Sequence, residues 1–209
     1  GSYGKGLLPT GHVRDTLDVP GLGWVEGSLV DTVNPCFFIR AADVGLQGDE
    51  VKSEDFAPGM LDGLEAIRRE VFALLGKAYD PRDAVPFLAF VREPMDYTNH
   101  LTGEVVRAGD VDFLSRVFFR GQIHKTYPGS ISCCTGAAAV IPGTVVQEIC
   151  NGEMASGINI GHPGGIVDVE AACEFEDGKP VIKRICYGRT ARRIMDGCCY
   201  VPNRFFEEG

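Results

Sequence analysis

Residues 128–143 read PGSISCCTGAAAVIPG, and this stretch decides the fold. Its run of Ser, Cys, Gly and Ala lies between two turn dipeptides, Pro128-Gly129 and Pro142-Gly143. A helix that is small and apolar on every side is stable only when the rest of the protein covers it. We therefore predict a buried helix that begins at Pro128-Gly129-Ser130 and stops at Pro142-Gly143.

Short strands are predicted on both sides of this helix, because apolar runs between Gly, Pro, Asn and Asp turns are typical of strands. After the helix they fall near 144–149, 157–161, 165–171 and 181–187, and residues 188–202 are strand-like at both ends. Before it they fall at 24–30, 37–39 and 85–91, with a loop over 43–58 and a hairpin within 99–109. A buried helix among many short strands indicates an α+β domain whose sheet wraps around the helix.

Two more helices are predicted from apolar residues at helical spacing. The clearer one covers Met60 to Leu75, with Gly76 as its C-terminal stop. The second would begin at Asp110 as N-cap and present one apolar side, made of Val111, Leu114, Val117 and Phe118.

Composition excludes several function classes. The 209 residues carry a formal net charge of −9 and are 44% hydrophobic, as in ordinary globular domains. The sequence contains no run of 18 apolar residues, so no membrane span is predicted. The opening GSYGKGLLPTG has no apolar core of the kind found in signal peptides, so no signal peptide is predicted. An acidic chain without a block of Lys and Arg disfavours nucleic acid and anionic membranes as partners. A small anionic ligand is still compatible, since local donors decide its binding.

The eight cysteines have neither CxxC pairs nor zinc-like spacing with His, so no metal site is predicted. We expect buried, reduced thiols and therefore a cytoplasmic location. Cys133 or Cys134, close to the start of the buried helix, could have a lowered thiol pKa and act as an acid or base. The other interpretation is that both are small core residues.

The start of the buried helix is the best candidate for a binding site. Its first residues, Gly129, Ser130 and Ile131, would direct free N–H groups and the positive end of the helix dipole toward a carboxylate or phosphate. His124 and Lys125 lie just upstream and could add positive charge. Alternatively, Ser130 is an ordinary N-cap and His124-Lys125 a surface turn.

His162 lies in the sequence NIGHPGG, at a turn between two predicted strands. Gly161, Gly164 and Gly165 would let the backbone approach a ligand closely. The alternative is an ordinary glycine-rich hairpin. The spacing matches neither a P-loop nor GxGxxG, so no nucleotide is predicted.

Two further features can each be interpreted in two ways, as ordinary structure or as part of an anion-binding site. Asn34, before Pro35, either caps a turn or directs its amide into a cleft where it binds a carboxylate. Three arginines near the C-terminus either clamp an anion or form a solvated strand edge: Arg189, Arg192 and Arg193.

Several segments together resemble the PrpF family of methylaconitate, methylitaconate, oxalomesaconate and aconitate isomerases. They are GKGLLPTGHVRDTLDVPGLG, SLVDTVNPCFFIRAADVGLQG, HKTYPGSISCCTGAAAVIPGTVV, NIGHPGG and GRTARRIMDGCCYVP, in collinear order from Gly4 to Pro202. The resemblance implies a diaminopimelate-epimerase-like fold of two halves, with the active site between two helix N-termini. It also implies proton and double-bond movement in an unsaturated polycarboxylate, without cofactor or metal.

The resemblance also implies that the chain is incomplete as an enzyme. Family members are roughly twice as long, so residues 1–209 correspond to the C-terminal domain. The N-terminal domain, which carries the family's Lys and its Cys or Ser, is absent. The expected partners are a carboxylate substrate and either that N-terminal half or a second copy of this chain. This chain alone is expected to be inactive, and a non-catalytic binding or dimerisation module is the alternative. A thiol epimerase that uses Cys133 or Cys134 is a third possibility.

Site residues carried over from the family are Asn34, Ser130 with the Gly129 and Ile131 backbone, His162, and Gly164-Gly165. Two positions depart from the family pattern. Gly164 stands where the family has Ser in HPSG, and Ser130-Ile131 stands where Thr-Gly is common. Each departure implies a different substrate or a weakened site.

Overall fold

The structure is a computed structural model that describes residues 3–150, 157–189 and 191–203. Within these residues nine strands form one mixed sheet. In spatial order they are β1 (Asp15–Val19), β2 (Gly23–Asp31), β3 (Pro35–Arg40), β4 (Phe87–Arg92), β7 (Phe113–Phe119), β9 (Ile158–His162), β10 (Gly165–Glu176) and β11 (Lys179–Tyr187), with β8 (Gln122–Ile123) paired to β7. A separate hairpin, β5 (Tyr97–Thr98) with β6 (Val105–Val106), overlaps the one predicted within 99–109, and its first strand lies just before that range. The chain is an α+β domain.

Helix α1 (Met60–Leu74) confirms the first predicted helix. Gly76 stops it in the left-handed conformation, with φ of 71°. The apolar side of α1 packs on one face of the sheet, against Leu29, Phe37, Leu88, Phe90 and Phe118. Alternate residues of the same strands face the other way, because successive side chains of a strand point to opposite faces.

Helix α2 (Gly129–Val140) has the predicted bounds and lies on that opposite face. Nine of its 12 residues are buried, and it contacts β2, β3, β10 and β11. Small residues are required for this close contact: a Cβ atom added to Gly136 would lie 2.4 Å from Cγ1 of Val169. The same face buries Val30, Phe38, Ala89, Val117 and Ile160.

Three sequence predictions were wrong. The helix expected after Asp110 is strand β7, since Val117 and Phe118 are buried on opposite faces of a sheet covered on both sides. A continuous apolar run fits either structure, so periodicity could not separate them. Residues 144–149 form helix α3 (Val145–Ile149) instead of a strand, because the Thr144 hydroxyl caps it by accepting from Gln147 N at 3.1 Å. Residues 188–203, Thr190 excepted, contain no strand.

All eight cysteines are described, and none forms a disulfide. Cys36 and Cys134 are buried as expected, whereas Cys186, Cys198 and Cys199 are exposed, so burial was wrong for these three. The described residues hold no cluster of three or more His, Cys, Asp or Glu side chains suited to a metal ion. None of their helices is long and apolar enough to cross a bilayer.

Candidate anion-binding site

The N-terminus of α2 offers two main-chain donors. Pro128 is the N-cap, and its carbonyl accepts from Ile131 N at 2.9 Å and from Ser132 N at 2.8 Å. The N–H groups of Gly129 and Ser130 have no acceptor among the described residues. The alternative in which Ser130 is the N-cap is therefore wrong: Ser130 is the second residue of the helix, and no side chain caps it. Two unpaired donors at the positive end of a helix suit an anion.

A cation and a hydroxyl lie beside these donors. A Cβ atom added to Gly129 would lie 2.5 Å from Tyr187 Oη and 3.1 Å from Arg189 Nη2. The exposed Arg189 guanidinium is 5.2 Å from the centre of the Tyr187 ring. Of the three C-terminal arginines, Arg189 thus adjoins the site, whereas Arg193 pairs with Asp196. Tyr187 was missed by the sequence analysis, since it ends a strand with no recognisable motif.

His162 ends β9, and its side chain lies on the α2 face of the sheet. Its Nδ1 accepts a hydrogen bond from Gly164 N at 3.1 Å, and its ring centre is 5.7 Å from that of Tyr127. Only 8% of the residue is exposed. Burial lowers the pKa of His162 to about 4, with smaller contributions from the charges of Arg116 and His124. His162 is therefore neutral near pH 7, with its remaining proton on Nε2.

The other histidine of the candidate set, His124, lies near the same turn. Its ring centre is 5.5 Å from that of Phe119, and its Nδ1 lies 3.2 Å from Thr126 N. The following residue, Lys125, lines a cavity of about 290 Å³ with Lys52 and His100. A positive charge on Lys125 at the α2 N-terminus stays a prediction.

The glycines of the 161–165 turn are tightly enclosed. A Cβ atom on Gly164 would lie 3.0 Å from Leu101 Cδ1 and 3.5 Å from the Lys125 carbonyl oxygen. Gly165 has φ of 127°, which other residues rarely adopt. A serine in place of Gly164 would require Leu101 Cδ1 to move by only a few tenths of an ångström, which an exposed side chain can do, so nothing in the structure explains the departure from HPSG.

Asn34 is half-buried in the turn between β2 and β3. No hydrogen bond, ion pair or ring contact joins it to the other candidates within the part of the chain that the structure describes. Its turn lies beside the second turn of α2, where Cys134 Sγ donates to the Val30 carbonyl at 3.1 Å. The structure thus brings Gly129, Ser130 and Arg189 together, while Asn34 stays a separate candidate.

The thiols of α2 do not have the lowered pKa considered above. Burial raises the pKa of Cys133 and raises that of Cys134 to about 12. Both lie beyond the first turn of the helix, where the dipole has little effect. Neither is a thiolate near neutral pH, which removes the support for a thiol acid or base.

The fold and this polar helix terminus define a class first: α+β domains with a mixed sheet and helices on both of its faces. The chain matches the crystal structure of a methylitaconate-delta-isomerase with a TM-score of 0.77 and 37% identity, over 91% of this chain and 50% of that one. A probable proline racemase from Agrobacterium radiobacter K84 shares the fold, with a TM-score of 0.51 and 13% identity over 88% of this chain and 51% of that one.

The model of the PrpF protein family matches residues 1–202, and the chain belongs to this family. It is 39% identical to the 3-methylitaconate isomerase of Eubacterium barkeri, over 93% of this chain and 52% of the relative. It is 32% identical to the 2-methyl-aconitate isomerase of Cupriavidus necator, over 97% of this chain and 52% of the relative. The chain thus spans about half the length of the curated relatives it matches.

Proposed function

We propose that residues 1–209 are the C-terminal domain of a cofactor-independent isomerase that moves a proton and a double bond in an aconitate-like polycarboxylate. One observation carries the proposal: the unpaired N–H groups of Gly129 and Ser130 lie beside the Arg189 guanidinium. Family membership supplies the reaction class. In this proposal the sheet wraps around α2 and presents its N-terminus as one wall of a cleft.

The donors at the α2 N-terminus would hold a substrate carboxylate. A base on the missing domain would remove a proton next to a carboxylate or in an allylic position, and negative charge would spread toward the held carboxylate. Donors that are already oriented stabilise such charge without reorganisation. The net charge of −9 does not oppose this binding, because the local donors are backbone N–H groups and one arginine.

The C-terminal segment supports a missing partner. Ile194, Met195 and Tyr200 are 81%, 82% and 96% exposed. Single exposed apolar residues are ordinary, whereas several large ones in one segment mark a surface that another domain covers. The N-terminal half of the enzyme is our proposed occupant of this surface.

A non-catalytic carboxylate-binding or dimerisation module is the second candidate. It is favoured by the protonation states near α2: His162 is already neutral near pH 7, and both thiols stay protonated. None of these three groups would exchange a proton readily near pH 7.

An activity assay separates the two candidates. Aconitate and methylaconitate isomerisation is followed by ultraviolet absorbance, with the chain alone and with the N-terminal half of the Eubacterium barkeri relative added. We expect turnover only in the mixture. Full turnover by the chain alone contradicts the half-enzyme proposal. A dimer in light scattering that binds tricarballylate and stays inactive in the mixture supports the module.

A further inference from the structure

The carbonyl groups around the 161–165 turn are held from one side by residues far away in the sequence. The donors are Arg116 Nη1 to Gly161 at 3.2 Å, His100 N to Pro163 at 2.7 Å, Asn99 Nδ2 to Gly164 at 3.1 Å, and Tyr97 Oη to Gly165 at 2.5 Å. We call Tyr97, Asn99, His100 and Arg116 the turn clamp. Its members come from the β5 hairpin and from β7, on the sheet face opposite α2.

Arg116 is the member of the turn clamp whose burial costs the most free energy. It is fully buried, and its Nε and Nη2 atoms have no acceptor among the described residues. Its guanidinium lies 5.1 Å from the centre of the Tyr97 ring. Burial lowers its pKa to about 10, so it stays charged near pH 7. A buried charge is expensive, and this one donates to the carbonyl next to His162.

The held turn determines how His162 is presented. Gly164 donates its N–H to His162 Nδ1, so that nitrogen must be the unprotonated one in the neutral ring. The Nε2 atom then carries the hydrogen and has no acceptor in residues 3–150, 157–189 and 191–203. Rotation of the Gly164 peptide would break this bond, and the clamp on the carbonyls of Pro163 and Gly164 opposes that rotation.

We propose that the turn clamp positions His162 as an Nε2–H tautomer, which serves as a neutral hydrogen-bond donor to a carboxylate ligand. The ligand half of this statement rests on the proposed function, whereas the tautomer half does not. His162 is then a binding group instead of the acid or base of the reaction. Arg116, Tyr97 and Asn99 are positioning residues, since they act on the ligand only through the turn.

Long-range ¹H–¹⁵N NMR of the histidine rings in the full 209-residue chain tests the tautomer. We expect His162 as a neutral Nε2–H ring at pH 7. Tyr97→Phe removes one donor of the clamp and keeps the ring beside Arg116. It should raise the Nδ1–H fraction and speed amide exchange at Gly164 roughly fivefold to tenfold, the effect of one hydrogen bond. Tyr79→Phe, which removes a hydroxyl bonded to Glu65 on α1, is the matched control.

Three results would overturn the clamp. They are a wild-type His162 that is Nδ1–H or cationic at pH 7, an unchanged His162 in Tyr97→Phe, and equal changes in Tyr79→Phe. If Tyr97→Phe does not fold, the tautomer of His162 in the wild-type chain still tests the proposal.

The ligand half is tested by adding tricarballylate, a saturated tricarboxylate, to the wild-type chain. Binding that shifts the Nε2 proton downfield supports a donor role, and binding that leaves it unmoved overturns that role. Failure of tricarballylate to bind both to the chain alone and in the presence of the N-terminal half of the Eubacterium barkeri relative contradicts the proposed function and does not alter the tautomer result.

Discussion

The two ends of α2 are built differently. At the C-terminal end the Ala138 carbonyl accepts from Thr144 Oγ1 at 2.6 Å and from Ile141 N at 3.4 Å, and Ile141 and Pro142 line a cavity of about 600 Å³. At the N-terminal end no described side chain caps the helix, and the N–H groups of Gly129 and Ser130 have no acceptor in the described part of the chain. A protein usually satisfies both ends of a buried helix. The described chain pairs the C-terminal end of α2 through Thr144 and Ile141, whereas in the proposed site a ligand would pair the N-terminal donors.

The comparison of the two ends requires that α2 is a single, closely packed helix. Gly136→Val should disturb that packing, and it is the substitution with the largest expected effect. The added Cβ atom would overlap Val169, so we expect the free energy of unfolding to fall by about 3 kcal/mol. Urea denaturation measures the loss. Gly109→Ala, where nothing lies within 4 Å of the new Cβ atom, is the control. Equal stability of the two variants would show that the helix is loosely packed.

The pH dependence of the free energy of unfolding tests His162, which lies on the same face of the sheet as α2. The pKa of His162 is lowered to about 4 from 6.5, so between these values the unfolded chain binds more protons than the folded one. The free energy of unfolding should therefore fall as the pH drops from 7 to 4, by up to about 3 kcal/mol from this residue. His162→Gln should remove that part of the slope. His12→Gln, at an exposed ring, should keep it, and parallel curves for wild type and His162→Gln would refute the assignment.

A substitution at the C-terminal end of α2 should lower the free energy of unfolding and leave tricarballylate binding unchanged. Thr144→Val loses the bond to the Ala138 carbonyl and the cap that accepts from Gln147 N, and we expect a loss of about 2 kcal/mol in unfolding free energy. Thr98→Val, at an exposed position of β5, should cost little. Tricarballylate affinity by calorimetry should match wild type, and a weakened affinity would mean that the ends are coupled.

The reverse pattern is expected at the N-terminal end. Arg189→Gln should weaken tricarballylate binding about tenfold, the worth of one charge-assisted hydrogen bond, and leave the free energy of unfolding unchanged. Arg192→Gln, also exposed, is the control. If both variants bind equally well, Arg189 does not take part in the site.

The parts of this fold that could be predicted are those whose signal is local. Helix α1 has charged and apolar sides, and α2 has small residues between two Pro-Gly dipeptides, so both bounds followed from the sequence. Strand β7 is buried on both faces, which removes the alternation that would have separated it from a helix. Helix α3 has only five residues, too few to show a period.

In the candidate site, too, only the residues with a local sequence signal could be predicted. Gly129, Ser130 and His162 carry local turn signals, and the structure places all three on the α2 side of the sheet. Arg116 and Tyr97 act on the 161–165 turn across 45 and 68 residues of sequence. Such contacts are created by strand order, which no single segment encodes.

The composition of α2 has a consequence for how the chain folds. A helix so rich in Gly, Ser and Thr is weak in isolation, because these residues favour helix less than Ala or Leu does. Its contacts come from β2 and β3 before it and from β10 and β11 after it, so most of the chain must be made before they form. Folding dominated by such distant contacts is slow. We therefore expect α2 to form late, together with the unpaired donors of the proposed anion site at its N-terminus.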